Sequence, residues 1–443
     1  MIDDQAISVV GLGKLGAPVA ACFASRSFRV IGVDKDRSAV ESIASGLAPV
    51  YEPGLDRLIE KNRERLSATD DCEDAILKTD ITFIVVPTPS IEDGGFSTEY
   101  VLAACEQIGE ALRTKDGYHL VVLTSTVLPS VTENQVKALL EKHSNKSCGE
   151  DFGLCYSPEF IALGSVIHDF LNPDFLLIGE SDPRAGDILQ ALLEKTCENN
   201  PPVARMSFSE AELTKIALNS FVTMKITFAN TLARICERVP GASVDVVTSA
   251  LGHDSRIGGK YLKGATSYGG PCFPRDNMAF SFLANSLGVP YQLAEATDKV
   301  NRLQVKYLFD LVSSELPDGG TVGVLGLSYK PDTCVVEESP GLLLLKQLVE
   351  HGYDVCAYDP MGMENARAEI NGQDIFTPSC AECVQRSDVV VIATPWSEFA
   401  EIPAETVARE GDRRVIIDCW RLLDETVYGP IARYIRMGTG QRQ

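Results

Sequence analysis

Basic side chains are scarce in this 443-residue chain: 40 Lys and Arg stand against 62 Asp and Glu, a formal net charge of -22. A surface that negative repels polyphosphate over long range, which argues against nucleic acid and anionic membranes as partners. A small anionic substrate in a local basic pocket stays compatible with it. Long apolar runs are also missing. The most apolar stretch, near 211–236, is interrupted by Lys215, Asn219, Lys225 and Asn230, so no membrane span is expected. The opening residues, MIDDQAISVVGLG, offer neither a basic segment nor an apolar run of signal-peptide length. The chain therefore reads as soluble and cytoplasmic.

Other absences narrow the chemistry. The five His are scattered and HExxH does not occur, which removes that zinc-hydrolase pattern. No Tyr is followed four residues later by Lys, so the Tyr-Lys couple of short-chain dehydrogenases is missing. Cys380 and Cys383 form a CxxC with no second pair at zinc-site spacing, and read as two thiols on one helical turn rather than a metal site. Thirteen cysteines is an odd number without a disulfide framework. Most read as buried small apolar residues, and at least one as a reactive thiol.

What is present is ordinary globular composition, 45% hydrophobic and 23% charged, at a length that suggests two or three domains. Apolar β-rich runs at 6–11, 28–34, 81–86, 120–124 and 175–178 alternate with helical patterns, and DFGLCY near 151–156 adds a short strand. That alternation predicts a parallel sheet covered on both faces. Residues 209–237 carry helical periodicity well beyond an average helix, and further helices run to about 316, broken by a Gly-rich stretch at 258–272. Alternation then returns at 321–328, 353–360, 388–395 and 414–420. The second block echoes the first, so the predicted class is α/β: two Rossmann-like doubly wound domains, 1–206 and 317–443, joined by a long central helix and a helical middle domain, 207–316. Short linkers are expected at 200–207 and 316–320.

Gly11, Gly13 and Gly16 follow the first strand and open a helix, and Asp34 closes the second strand. In that order, the glycines make a tight turn, admit a pyrophosphate and pack helix on sheet, while the acid accepts from a ribose 2′-OH. This predicts NAD in preference to NADP, although Lys35 lies beside Asp34. Thr88 and Thr126 end later strands, where hydroxyls reach a nicotinamide ribose or a reacting oxygen, or simply cap turns. GGPCFPRD sets Cys272 after two glycines and Asp276 four residues on, a turn into a helix that suits a thiolate nucleophile. Lys215 and Asn219, four apart on the long helix, share a face. Glu159, after a short strand, can activate water or merely occupy a helix N-terminus.

Taken in order, GLGKLG, SPEF followed by DFLNPDF, AELTKIALNSF, DSRIGGKYL, GGPCFPRD, GLSYKPDT and IATPW resemble the UDP-glucose/GDP-mannose dehydrogenase family over nearly the whole chain. The resemblance implies NAD-dependent oxidation of a nucleotide-sugar C6 alcohol to the acid, with UDP-glucose as first substrate to try. It implies an N-terminal NAD-binding domain, a central dimerisation domain and a C-terminal nucleotide-sugar-binding domain. Cys272 would be the nucleophile, and Lys215 and Asn219 would stabilise the oxyanion. Asp276 and Thr126 would assist proton transfer, and Glu159 would promote thioester hydrolysis. Phe160, Tyr261, Gly269, Lys330 and Arg421 would line the sugar-nucleotide site, with Arg256 reaching into the neighbouring subunit of a homodimer or larger assembly of dimers. Three positions depart from the family: Glu337 stands where Arg is usual, Leu163 where Glu is usual, and Trp420 interrupts an expected Asp-Gly-Arg. Two other readings are a two-electron β-hydroxyacid-type dehydrogenase, which lacks the Cys loop and the second Rossmann-like block, and a non-catalytic nucleotide-sugar binder. GDP-mannose, TDP-glucose and UDP-N-acetylhexosamines are the alternative substrates.

Overall fold

Mostly apolar runs such as Ala6–Val10 and His119–Leu123 are buried along their whole length, as strands covered on both faces must be. The computed structural model describes residues 5–289, 292–370, 374–409, 411 and 413–440. The chain divides into two compact units, Met1–Ala217 and Leu218–Gln443.

The first unit holds β1 (Ala6–Val10), β2 (Arg29–Val33), β3 (Leu66–Thr69), β4 (Ile81–Ile84), β5 (His119–Leu123), β6 (Phe152–Tyr156), β7 (Leu176–Glu180) and β8 (Val203–Met206). They form one sheet in the order β3-β2-β1-β4-β5-β6-β7-β8. β6 and β7 pair antiparallel, whereas the other neighbours are parallel. The expectation of a wholly parallel sheet is corrected at that point, because β7 and β8 run against the rest. The stretch 200–207, expected to be a linker, supplies the edge strand β8.

In the second unit, helices Val244–Gly252, Phe273–Ser286 and Leu293–Glu315 precede a second sheet. Its strands are β9 (Thr321–Leu325), β10 (Asp354–Tyr358), β11 (Val389–Ile392), β12 (Val415–Asp418) and β13 (Arg433–Arg436), all parallel, in the order β10-β9-β11-β12-β13. β13, charged at both ends, has no counterpart among the expected strands.

The echo between the two sheets reaches individual hydrogen bonds. Gly11 sits at φ +99° and donates its N–H to Val33, and Gly326 sits at φ +97° and donates to Tyr358. Asp34 Oδ2 accepts from the Leu12 N–H at 2.6 Å, and Asp359 Oδ2 from the Leu327 N–H at 2.7 Å. The two carboxylates then diverge. Asp359 is buried and also accepts from Ser328, Met361, Gly362 and the Trp396 indole. Asp34 is only half-buried.

The helix Phe208–Cys236 carries Lys215 and Asn219 one turn apart on a buried face. Its opposite side exposes Phe221, Phe228 and Ile235, each more than half accessible and spaced seven residues apart. Among the described residues, no helix is long and apolar enough to cross a membrane.

Candidate active site

The glycine turn after β1 has the shape a dinucleotide needs. A Cβ at Gly16 would lie 1.8 Å from the Gly11 carbonyl oxygen, so only glycine lets helix Gly16–Ser25 start this close to the turn. A Cβ at Gly13 would meet no protein atom within 4 Å. That open space lies beside a helix N-terminus, where backbone N–H groups favour a phosphate. Asp34 braces the turn through Leu12 and the Asp36 N–H and keeps an accessible edge for a hydroxyl donor. These residues fit NAD. Lys35 lies over the Tyr100 ring, 4.7 Å from its centroid.

The strand ends beyond β4 and β5 are sewn together. Thr88 donates its hydroxyl to the Thr126 carbonyl at 2.8 Å, and Ser125 exchanges hydrogen bonds with the Val86 backbone. Glu212, fully buried on the long helix, accepts the Ser130 and Thr132 N–H groups at 2.7 and 2.8 Å. It thereby fixes the loop that carries Thr126. Glu52 does the same for the loop after Glu159, accepting from Gly164 and Val166, both at 2.8 Å.

Glu159 lies just after β6. Burial pushes its carboxyl up to about 7, while the nearby Lys215 ammonium pulls the other way. Lys215 is buried, donates Nζ to the Glu159 carbonyl at 2.5 Å, and lies 4.6 Å from the Phe160 ring centroid. Phe160 in turn stacks on Phe175. The site therefore sets a carboxyl that holds its proton more tightly than an ordinary glutamate beside a fixed cation.

Of the thirteen cysteines, all within the described residues, only Cys272 is exposed. It precedes helix Phe273–Ser286, which has Pro274 in its first turn. Asp276, one turn on, is 1% exposed. Its Oδ2 accepts from Asn219 Nδ2 at 2.6 Å and its Oδ1 lies 3.3 Å from Arg275. Tyr261, half-exposed at φ +63°, meets the Phe273 ring edge-on. A Cβ at Gly269 would lie 2.1 Å from the Glu338 carbonyl oxygen, and Gly270 donates its N–H to Glu337 at 2.9 Å. Tyr329, preceding Lys330, packs its ring on Gly270. The departure at Glu337 thus leaves this contact intact, since it uses the backbone.

One expected residue is placed differently. Arg421, expected to bind substrate, is 2% exposed and commits all five donors inside the chain: to both Asp245 oxygens and to the carbonyls of Gly264, Cys419 and Met437. It is a structural clamp with no donor left for a ligand. Arg256 is fully exposed in a forked pair with Asp254, 2.6 Å at its shortest. Within one chain it joins no cluster described above. Cys380 and Cys383 are buried on one helical turn, with Cys356 Sγ 3.7 Å from Cys383 Sγ. Sequence reasoning missed Glu52 and Glu212, whose partners lie 80 to 114 residues away.

Three profiles of the UDP-glucose/GDP-mannose dehydrogenase family match in succession: the NAD binding domain over residues 5–197, the central domain over 209–303 and the UDP binding domain over 323–425. The UDP-glucose 6-dehydrogenase of Haloferax volcanii is 38% identical over 94% of this chain and 97% of its own length. The GDP-mannose 6-dehydrogenase of Pseudomonas aeruginosa is 34% identical over 90% of this chain and 94% of its own length. Among solved structures, a UDP-glucose dehydrogenase from Pyrobaculum islandicum superposes with a TM-score of 0.88 at 34% identity, covering 98% of both chains.

Proposed function

The chain belongs to the UDP-glucose/GDP-mannose dehydrogenase family, an NAD-dependent nucleotide-sugar 6-dehydrogenase, and from that premise we propose that it oxidises UDP-glucose to UDP-glucuronate. The observation that carries the reading is Cys272, the one exposed thiol, opening a helix whose first turn holds a carboxylate bonded to Asn219. NAD+, when bound, would supply the hydride acceptor for each of two oxidations, so that alcohol, two NAD+ and water would give carboxylate, two NADH and three protons.

Gly11, Gly13, Gly16 and Asp34 would hold the cofactor, with Thr88 and Thr126 assigned to the same site. On this reading the residues assigned to binding the sugar nucleotide are Glu159, Phe160, Lys215, Asn219, Tyr261, Gly269 and Lys330, and Arg421 is left out. An aldehyde carbon has no transferable hydride until a nucleophile adds to it. Cys272 Sγ supplies that bond and gives a thiohemiacetal, the form that carries the second hydride and becomes a thioester on its loss. Lys215 and Asn219 stabilise the oxygen as charge develops on it. Asp276 and Thr126 relay its proton through water. Glu159, poised near neutrality, takes a proton from the water that cleaves the thioester and frees the thiol.

A panel of UDP-, GDP- and TDP-sugars, N-acetylhexosamines included, tests the substrate. Two NADH per sugar with UDP-glucose at the highest kcat/KM is the expected result. One NADH per sugar would favour a two-electron enzyme, and no turnover with any sugar would favour a binder. Higher kcat/KM with GDP-mannose would move the assignment within the family.

A further inference from the structure

The loop that delivers Cys272 runs from about 262 to 272 without helix or strand, yet it is buried through Ala265–Gly270. Buried backbone polar groups need partners, and here most of them come from side chains. Asn230, on the long helix and 1% exposed, accepts the Ala265 N–H and donates to the Thr266 carbonyl, both at 2.8 Å. Asn301, on helix Leu293–Glu315 and 5% exposed, accepts the Tyr268 N–H at 2.8 Å and donates to the Tyr268 carbonyl at 3.0 Å. Each carboxamide thus pairs with loop backbone as a neighbouring strand would, using its acceptor and a donor together. The geometry fixes which end of each amide is oxygen.

The clamps join a second polar chain. Asn277 Nδ2 donates to the Tyr268 hydroxyl at 3.2 Å, and Asn277 Oδ1 accepts from Ser220 at 2.9 Å. Ser220 follows Asn219, and Asn277 follows Asp276. The Tyr268 hydroxyl, four residues before the nucleophile, is therefore tied to the same two helices that hold the Asn219–Asp276 pair, while the Tyr268 backbone is held by Asn301 on a third helix.

We propose that Asn230 and Asn301 are positioning residues for Cys272: they set the loop so that Sγ meets the aldehyde carbon, and they serve the second oxidation without touching substrate. This rests on the proposed function, but its first test does not need the substrate. Rates of Cys272 alkylation by iodoacetamide, read by peptide mass, are compared in wild type, Asn230→Leu and Asn301→Leu at a temperature far below each Tm. The leucines keep side-chain volume and remove both hydrogen bonds. A change in alkylation rate of about tenfold or more is expected, since a displacement near 1 Å carries effects of that order. With an active nucleotide sugar, KM for the sugar should stay within about twofold while NADH per sugar falls from two toward one as aldehyde escapes.

If a leucine variant does not fold, Asn301→Asp, which keeps an acceptor for the Tyr268 N–H but sets an oxygen against its carbonyl, is read in the same assays. A lowered Tm with unchanged Cys272 alkylation and unchanged NADH stoichiometry would overturn the proposal and leave the two residues with a purely structural role. A wild type inactive on every sugar would overturn the proposed function alone, because the alkylation comparison would still stand.

Discussion

Asn219 donates its amide proton to Asp276 Oδ2 at 2.6 Å across 57 residues of sequence, so the long helix holds the carboxylate one turn below Cys272 in a single orientation. Asp276→Asn replaces an acceptor with an amide that cannot relay a proton. Acid formation should fall by about 10²–10⁴-fold, the usual range for losing a general acid or base. Cys272→Ser should keep nucleotide-sugar affinity in calorimetry but stall before acid release. A serine variant that makes two NADH per sugar at near wild-type rate would remove the thioester step.

Glu159 gives a pH dependence with a definite sign. Its folded pKa, about 7, lies above the ordinary glutamate value, because burial opposes the charged form. The folded state therefore holds the proton more tightly than the unfolded one. Stability from this group is lost as pH rises from about 4.3 to about 7, the unfolded and folded values. Glu159→Gln should raise Tm above pH 7 and leave it unchanged near pH 4. Thioester hydrolysis needs the carboxylate, so acid formation should climb with pH to a plateau above about 7. In Glu159→Gln that limb should vanish along with most of the rate. A wild-type profile flat from pH 5 to 8 would contradict the assignment.

The sequence shows some of this site and hides the rest for physical reasons. The Gly11 turn and Asp34 are legible because strand, turn, helix and strand are consecutive and the constraint is local. Cys272 is legible because its loop is unusual in itself. Glu52, Glu212, Asn230 and Asn301 are not: their work is done on backbone 33 to 114 residues away, and a polar residue in a loop or a helix looks the same whether solvated or clamping distant backbone. Arg421 was open to misreading for the same reason, since its five acceptors converge only after folding. Edge strands were the hardest elements. β3, β8 and β13 are short and only partly buried, so they lack the continuous apolar signal of central strands. The reversal at β7 leaves no trace in composition, because an apolar run reads the same in both directions.

Asp34 predicts cofactor choice. Its accessible edge can accept from a ribose 2′-OH and repels a 2′-phosphate, whereas Lys35, the nearest cation in sequence, lies over Tyr100. NAD+ should be preferred to NADP+ by at least about tenfold in kcat/KM, on the scale of one charged hydrogen bond. Asp34→Ala should narrow that preference and lower Tm, because the variant also loses the 2.6 Å brace on Leu12. Equal efficiency with both cofactors in the wild type would refute it.

The stripe Phe221, Phe228 and Ile235 predicts the assembly. Three large apolar side chains, each more than half exposed at seven-residue spacing, suit a helix packed on a second copy of itself, since a C2 interface uses one patch twice. Light scattering should give at least twice 48.0 kDa, and Phe228→Glu should shift it toward one chain. Arg256, exposed and paired locally with Asp254, would then face the partner's sugar site, where its planar fork suits paired oxygens. Arg256→Ala and Cys272→Ala should each be inactive alone. Mixed and allowed to exchange subunits, they should regain part of the activity, because some heterodimer sites carry both wild-type residues. A fully active monomer, or no recovery despite exchange proven by mass, would rule out the shared site and leave Arg256 as a surface residue.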